Sequence, residues 1–220
     1  DSSTSRGLGD VYKRQIVSRV MEVIAVKAGQ LLPAGFHGVS SKMKPDPYDT
    51  KMAKKLMADA GYPDGFKMTI HGPNDRYIND AKIAEALAQM LNRVGIEASV
   101  ETMPKAVYFK RASRGGPNKS PEFSFMLLGW GAGSGEASSP LKALLHTYDK
   151  SKGLGAANRG RHSDAEVDKL VKQALATVDA DARGALLAKA TEKAVGENYG
   201  VIPMHYQVNT WAAKAGYKYL

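Results

Sequence analysis

The loop from Gly129 to Glu136 has the residue types and spacing that best suit contact with a small molecule. It reads GWGAGSGE and overlaps residues 123–130, a nearly all-apolar run that predicts a central strand buried on both faces. Open α/β sheets bind ligands where their strands end, and glycines let backbone N–H groups come close to a ligand. The loop has neither the Gly-Lys-Ser/Thr of a Walker loop nor the glycine spacing of a dinucleotide-binding turn. It therefore indicates a ligand contact without indicating a nucleotide.

Asn158 and Arg161 form a second candidate pair, and the sequence leaves two interpretations open. A guanidinium can fork onto the two oxygens of a carboxylate, so the pair could face an acidic ligand. An Asn and an Arg just before a capped helix also commonly fix the turn that leads into that helix. The second interpretation is the more usual role for such a pair.

No arrangement of residues nominates a catalytic centre or a metal site. The chain has no cysteine, which excludes disulfides, thiolate ligands and cysteine nucleophiles. Ser134, Ser138 and Ser139 lack the G-x-S-x-G context of a nucleophile elbow, and Glu97 and Glu101 lie too far apart on a predicted wet strand face to act as an acid/base pair. We predict no enzyme, no catalytic residue, no metal and no cofactor. The five histidines, which show neither HxH nor HExxH spacing, are His37, His71, His146, His162 and His205.

The formal net charge of +9 suits an anionic partner, so a basic nucleic-acid-binding domain is the alternative function, ahead of a hydrolase. The basic residues are scattered among acidic ones along predicted helices, and the longest cluster runs from Lys105 to Lys119. This distribution is typical of solvated helix faces, and we therefore predict no nucleic-acid partner. The chain has no run approaching the roughly eighteen apolar residues of a membrane-spanning helix.

The first fifteen residues are expected to be foreign to the rest of the chain. Ser5 to Gln15 reads SRGLGDVYKRQ, which resembles a transposon-based sequencing-library adapter translated in frame. We therefore set residues 1–15 aside as a non-native segment and expect them to make few contacts. We also expect that the native N-terminus and any signal peptide are missing.

Residues 48–70 read as a complete unit of helix, stop, turn and strand. Asp49 is placed to cap the helix, and Gly61 to end it in a left-handed conformation. Pro63 to Gly65 has turn chemistry, and Phe66 to Ile70 alternates like a half-buried strand. The predicted apolar face of the helix comprises Met52, Leu56 and Ala60, with Ala53 and Met57 beside them.

The next elements predict a βαβ crossover with a parallel strand pair. A break at residues 72–75 ends the first strand, Asn79 or Asp80 caps a helix that ends at Gly95, and residues 96–102 alternate like a strand with one wet face. The other predicted elements are helices over 16–28, 105–113 and 140–147, a helix opened by a capping box at Ser163 to Glu166 with Leu175 and Val178 inward, a helix opened by Asp179 or Asp181, and a strand over 201–211.

The phrase AGYPDGF, residues 60–66, closely resembles a signature of the family 5 extracellular solute-binding proteins, together with the helix before it and the strand after it. These proteins are the dipeptide- and oligopeptide-type receptors of ABC importers. The resemblance covers nearly all of residues 16–220. Further parts in the family's order and spacing are Asn158-Arg159-Gly160-Arg161, Asp168, Asp179 with Arg183, and Val201-Ile202-Pro203-Met204-His205.

The resemblance implies an α/β fold, namely the C-terminal lobe of a periplasmic-binding-protein type II fold, with a mixed sheet flanked by helices and the first lobe missing. Residues 16–47 would form an inter-lobe helix and connection, residues 48–200 the α/β ligand-binding lobe, and residues 201–220 a strand that crosses back toward the missing lobe. Because one lobe is missing, we expect the isolated chain to bind its ligand weakly or not at all.

The resemblance also implies which residues meet a ligand. In the peptide receptors the Trp of the glycine-rich loop contacts the ligand, and an acidic residue three positions later pairs with the peptide's α-amino group. That later position is Gly133 here, and the nearest acid is Glu136, so we expect less dependence on a free amine. The expected ligand-binding residues are Trp130, Gly131, Ala132, Gly133 and Glu136, with Asn158 and Arg161 as further candidates.

As a relative of these receptors, the chain is expected to capture a small solute between two lobes and present it to ABC-transporter permease subunits. The ligand could be a peptide, a nickel complex, heme or another small molecule. Closure about a hinge would bury it without covalent chemistry. We expect a monomer located in the periplasm, or outside the cell with a membrane anchor.

Overall fold

The computed structural model describes residues 16–21, 25–47, 49–209, 214 and 216, so the predictions for residues 1–15 lie outside the described part. Its strands are β1 (Ala25–Lys27), β2 (Phe66–Pro73), β3 (Ile96–Met103) and β4 (His205–Gln207). Its longer helices are α1 (Thr50–Asp59), α2 (Asp80–Arg93), α3 (Lys105–Arg114), α4 (Ala165–Ala176) and α5 (Ala180–Thr191). Shorter helical segments are Ile16–Val20, Pro117–Lys119, Ser138–Pro140 continued by Leu141–Leu145, Lys150–Lys152 and Glu192–Glu197.

The segment β2–α2–β3 is the predicted βαβ unit. The two strands pair in parallel, from Phe66 opposite Ile96 to Pro73 opposite Met103. Strand β2 therefore continues through residues 72 and 73, where the sequence predicted a break, because β3 pairs with it over the whole length. The helix buries one apolar face on these strands, formed by Ile83, Ala84, Leu87, Ala88, Met90 and Leu91.

A glycine turn precedes each strand of this unit, and the two turns fit closely together. Gly65 and Gly95 both have positive φ angles, of 79° and 100°. A Cβ atom on Gly65 would lie 1.7 Å from the backbone oxygen of Gly95. Glycine at position 65 therefore serves both the left-handed turn and the close approach of the two chain segments.

Helix α1 begins as predicted, since the carboxylate of Asp49 accepts a hydrogen bond from the Met52 backbone N–H at 2.8 Å. Gly61 follows it with a φ of 88°. The buried face consists of Ala53 and Met57. The prediction that Met52 belongs to this face is wrong, because the buried stripe runs through Ala53 and Met57 and Met52 is 46% exposed.

The apolar segment of residues 123–130 is not the central strand that the sequence predicted. It makes a single parallel bridge to β2, in which the backbone of His71 both donates and accepts one hydrogen bond. The next rung of a parallel ladder would need an N–H from Pro73, which has none. The segment therefore leaves β2 after Leu127, and Trp130 is 43% exposed.

Strand β1 pairs antiparallel with β4, from Ala25 opposite Gln207 to Lys27 opposite His205. The prediction of a helix over residues 16–28 is therefore wrong at its end: the described helical part is Ile16–Val20, and residues 22–24 lie outside the described residues. The extended conformation of β1 is supported by a distant partner that periodicity cannot reveal. The predicted strand over 201–211 is limited to β4 within the described chain.

Helices α4 and α5 form a second core with the segment Leu141–Leu145. Asp164, rather than a capping box opened by Ser163, caps α4, because its carboxylate accepts from two backbone N–H groups at 2.8 and 2.9 Å. Leu175 and Val178 were predicted to face inward but are 48% and 93% exposed. Leu175 is rotated off the buried stripe, and Val178 lies beyond the helix end. The buried stripe consists of Val167, Val171 and Ala174. Asp179 caps α5, as one of the two predicted alternatives.

Among the residues that the structure describes, no helix has the length and apolar character needed to cross a bilayer. Within the same part of the chain, no three His, Asp or Glu side chains are grouped so that they could hold a metal ion.

Candidate ligand-binding cleft

A cleft of about 350 Å³ opens where the glycine-rich loop leaves the neighbourhood of β2. Its walls come from the turn after β2, from α3, from the start of the glycine-rich loop and from the loop before α4. The lining residues are Arg76, Tyr77, Phe109, Leu128, Gly129, Trp130, Gly131 and Arg159. This set contains three aromatic rings and two guanidinium groups but no carboxylate, so the described walls are apolar and cationic.

Gly129 and Tyr77 form the narrowest contact of the wall. The Tyr77 hydroxyl donates a hydrogen bond to the Gly129 carbonyl oxygen at 3.3 Å. A Cβ atom on residue 129 would lie 2.5 Å from Cε1 of the Tyr77 ring, well inside the contact distance of two carbon atoms. The absence of a side chain at Gly129 therefore lets the tyrosine ring come into contact with the loop backbone.

Tyr108 fixes the backbone from which the loop departs. It is fully buried, and its hydroxyl donates to the Leu127 carbonyl oxygen at 2.6 Å. That oxygen would otherwise accept from residue 73 in a parallel ladder, and Pro73 cannot donate. The phenol thus replaces the missing backbone donor, and burial raises the pKa of Tyr108.

The residues of the glycine-rich loop that were predicted to bind a ligand have different surroundings in the structure. Trp130 and Gly131 line the cleft. Ala132 packs against the core formed by α4 and α5, and Gly133 is outside the lining. A Cβ atom on Gly131 or Gly133 would meet nothing within 4 Å, so neither glycine is required by packing.

Arg159 lines the cleft from the loop before α4 and is half-buried. Its Nε donates to the Ser113 hydroxyl at 3.1 Å, and the guanidinium lies over the Phe109 ring at 5.4 Å from the centroid. Burial lowers the pKa of Arg159, although a guanidinium remains protonated in proteins at neutral pH. Arg76 contributes the second cation, 5.2 Å from the Tyr77 ring centroid.

Glu136 points to a different part of the structure. Its carboxylate accepts a hydrogen bond from Arg183 Nε at 2.8 Å. Burial acts to raise the pKa of Glu136, but hydrogen bonds from Ser138 and Arg183 outweigh it and lower that pKa. Glu136 is absent from the cleft lining and joins its loop to α5.

Asn158 and Arg161 form the turn before α4, as in the structural interpretation of the sequence. The buried Asn158 amide donates to the carbonyl oxygens of His146 and His162 at 3.0 and 2.7 Å. Arg161 has a positive φ of 55°, and its guanidinium lies 4.3 Å from the Tyr148 ring centroid. Neither residue lines the cleft.

Comparison with known proteins identifies the family. Residues 13–152 match the family described as bacterial extracellular solute-binding proteins, family 5 Middle. The chain belongs to this family.

Two curated family 5 relatives cover most of the chain. Heme-binding protein A of Haemophilus influenzae is 27% identical over 186 residues, which are 82% of this chain and 32% of the relative. Glutathione-binding protein GsiB of Escherichia coli (strain K12) is 31% identical over 163 residues, which are 73% of this chain and 30% of the relative. The chain therefore spans about a third of the length of these relatives, both of which are named as binding proteins rather than enzymes.

A solved structure shows the same fold. The ABC transporter-associated periplasmic binding protein DppA from Helicobacter pylori, in complex with the peptide STSA, has a TM-score of 0.80 and 24% identity. The match covers 94% of this chain and 38% of that chain. The predicted α/β fold of the periplasmic-binding-protein type II class is confirmed.

Five cleft residues outside the glycine-rich loop were missed by the sequence analysis, and one of them, Leu128, lies in the apolar run that was predicted only as a strand. Arg76 and Tyr77 come just after the carboxyl end of β2, so the rule that singled out the glycine-rich loop also applies to them. Arg159 stands inside the family motif that begins at Asn158 but was not singled out there. Phe109 lies on α3, where no local signal separates a cleft wall from an ordinary half-buried face.

Proposed function

We propose that this chain is the ligand-binding part of an extracellular or periplasmic solute receptor that delivers its solute to an ABC importer. The observation that best supports this proposal is a cleft lined by Trp130 in a chain that belongs to family 5. The relatives named above bind heme, glutathione and the peptide STSA, so the proposed ligand is a peptide or a similar small solute.

The proposed mechanism is capture without chemistry. The flat face of Trp130 and the ring of Tyr77 supply apolar surface, and the backbone at Gly131 supplies a donor that no side chain obstructs. A ligand that contacts these groups and a second lobe favours the closed arrangement of a two-lobed receptor. Permease subunits would then recognise the closed, monomeric receptor. Nothing in this mechanism needs a catalytic residue.

A free α-amino group is not the main determinant of binding in this proposal. Position 133, where peptide receptors carry an amine-pairing acid, is a glycine, and the nearby Glu136 is engaged by Arg183. We therefore propose Trp130 and Gly131 as the principal loop contacts. Acetylation of a ligand's amine should cost well under the roughly 3–5 kcal/mol of leaving a buried charge unpaired.

The test uses the chain itself and the tryptophan side chains as reporters. The sequence has two tryptophans, Trp130 and Trp211, so the indole N–H signals in a ¹⁵N-labelled sample are assigned with Trp130→Phe. We titrate the peptide STSA, its N-acetylated form, glutathione and heme. We expect weak binding by at least one of them, with indole shifts confined to the Trp130 signal. Because Trp130→Ala has no indole at this position, its binding is followed by the Gly131 backbone amide signal, and we expect a loss of about 2–4 kcal/mol of affinity.

The outcomes separate the parts of the proposal. If acetylation abolished binding of STSA while Trp130→Ala left it unchanged, the loop assignment would be wrong and Glu136 would become the principal contact. If a solute of the panel shifted backbone amide signals elsewhere in the chain and left the Trp130 indole signal unmoved, the cleft would not be the ligand site.

A further inference from the structure

The cleft has a half-buried cation whose charge is not matched by any acid in the described part of the chain. The structure gives Arg159 no ion pair and no carboxylate hydrogen bond among the described residues. The one side-chain hydrogen bond of Arg159 among these residues runs from Nε to the neutral Ser113 hydroxyl. The groups that influence its pKa, besides burial, are the phenols of Tyr108 and Tyr77. Buried charges usually have a partner, and this partly buried guanidinium is free to accept an anion from outside the described walls.

The geometry of the guanidinium restricts what that anion can be. One face lies over the Phe109 ring, and Nε is held by Ser113, which fixes the plane of the group. The two terminal nitrogens remain without a hydrogen-bond partner among the described residues. Two parallel N–H groups at the end of a fixed guanidinium match the two oxygens of a carboxylate.

The residues that line the cleft beside Arg159 indicate the chemistry of the rest of the ligand. Trp130, 43% exposed, and the Tyr77 ring line the same cleft as Arg159. A solute that placed a carboxylate on Arg159 would therefore have a flat or apolar group within reach of aromatic surface. Arg76, the second cation of the lining, adds to the positive potential of the cleft.

We propose that Arg159 is the specificity-determining anion contact of this cleft, and that the solute it accepts carries a carboxylate next to a flat apolar group. This inference rests on the proposed function, since it names the chemical class of solute for the same cleft. It assigns to Arg159 the role that the sequence offered to Arg161.

The experiment compares two probes of the same shape that differ in charge. The probes are 3-phenylpropionate and 3-phenylpropionamide, titrated into the full chain while the Trp130 indole N–H signal is followed. We expect the carboxylate to bind at least about tenfold more tightly, which corresponds to about 1.4 kcal/mol. In Arg159→Gln the two probes should bind equally. Arg159→Lys should recover only part of the preference for the carboxylate, because an ammonium group lacks the two parallel N–H groups of a guanidinium.

Arg161→Gln is the matched control, because Arg161 is two positions away, outside the cleft, and lies over Tyr148. It should keep the full preference. If Arg159→Gln failed to fold, Arg159→Lys would still test the inference, because it retains a long cationic side chain. The comparison of the two probes in the wild-type chain needs no variant.

Equal affinities of the two probes in the wild type, with the Trp130 signal responding to both, would overturn this inference and leave the cleft assignment intact. A carboxylate preference that persists in Arg159→Gln would also overturn it and move the anion contact elsewhere, with Arg76 the next residue to test. No response of Trp130 to either probe would remove both this inference and the site on which it rests.

Discussion

Replacing Gly129 by alanine tests whether the wall of the cleft depends on the contact between Gly129 and Tyr77. The added Cβ would lie 2.5 Å from Cε1 and 3.0 Å from both Cδ1 and Cζ of the ring. Carbon atoms rest about 3.5 Å apart at closest, so the ring has to withdraw by about 1 Å. The Tyr77 hydroxyl would then lose its 3.3 Å hydrogen bond to residue 129.

The expected magnitude follows from what the ring can do. Overpacking costs about 1–3 kcal/mol, and the lost hydrogen bond about 0.5–1.5 kcal/mol. Because Tyr77 is half-exposed, its ring can move toward solvent, which places the total near the lower end. We expect Gly129→Ala to lower the free energy of unfolding by about 1–2 kcal/mol, or the melting temperature by about 2–8 °C for a chain of this size.

Urea unfolding followed by tryptophan fluorescence measures this change, and Gly131→Ala is the control. A Cβ on Gly131 meets nothing within 4 Å, so that variant should stay within about 0.5 kcal/mol of wild type. In a Tyr77→Ala background, Gly129→Ala should cost little, because the ring that it displaces is gone. The reasoning is refuted if the two glycine variants behave alike, or if Gly129→Ala costs as much without the Tyr77 ring as with it.

Three further predictions concern the elements that hold the cleft, each measured by urea unfolding. Gly65→Ala should destabilise by at least about 3 kcal/mol, whereas Gly61→Ala, also left-handed but with open space around it, should cost only about 1–2 kcal/mol. Tyr108→Phe should cost about 1–3 kcal/mol, because it leaves the buried Leu127 carbonyl oxygen without its donor. Asp164→Asn should make stability fall less steeply as the pH is lowered. The Val167 backbone N–H, opposed by burial and helped by Asn198, lowers the pKa of Asp164. The stability that the Asp164 carboxylate contributes is therefore present above about pH 3.9 and is lost as the pH falls through the lower folded-state pKa.

Each of these has a result that contradicts it. Equal losses in the two glycine variants would show that the turns at 65 and 95 do not touch. A Tyr108→Phe variant as stable as wild type would mean that water or another donor reaches the Leu127 oxygen. Parallel stability curves for Asp164→Asn and wild type below about pH 4 would exclude the cap as an acid-sensitive contact.

The sequence predicted best the elements whose causes are local. The Asp49 cap, the stop at Gly61 and the end of helix α2 at Gly95 each depend on residues only a few positions apart. The failures have distant causes. Strand β1 is extended because it pairs with β4. The segment of residues 123–130 leaves β2 after Leu127 because of Pro73, which lies far upstream.

The same distinction holds for the cleft. The glycine-rich loop was singled out because it follows an apolar run, which is a local pattern, and the family resemblance then pointed to Trp130 within it. Tyr77 and Arg159 meet that loop only in the folded chain. The position of Tyr77 after β2 was a usable signal, whereas no local pattern connects Arg159 with this loop. Glu136 appeared to be available because the sequence does not show that Arg183 reaches it from α5.

The pairing of β1 with β4 sets the order in which the chain can fold. It joins positions about 180 residues apart, whereas β2 and β3 meet across about 30. Because the entropy of closing a flexible loop grows with the logarithm of its length, the longer closure costs about 1.6 kcal/mol more. The βαβ unit can therefore form while much of the chain is still unfolded, together with the cleft wall at Tyr77 that follows β2. The β1–β4 ladder has to wait for the elements between its strands to collapse, which makes it a late step on the folding pathway.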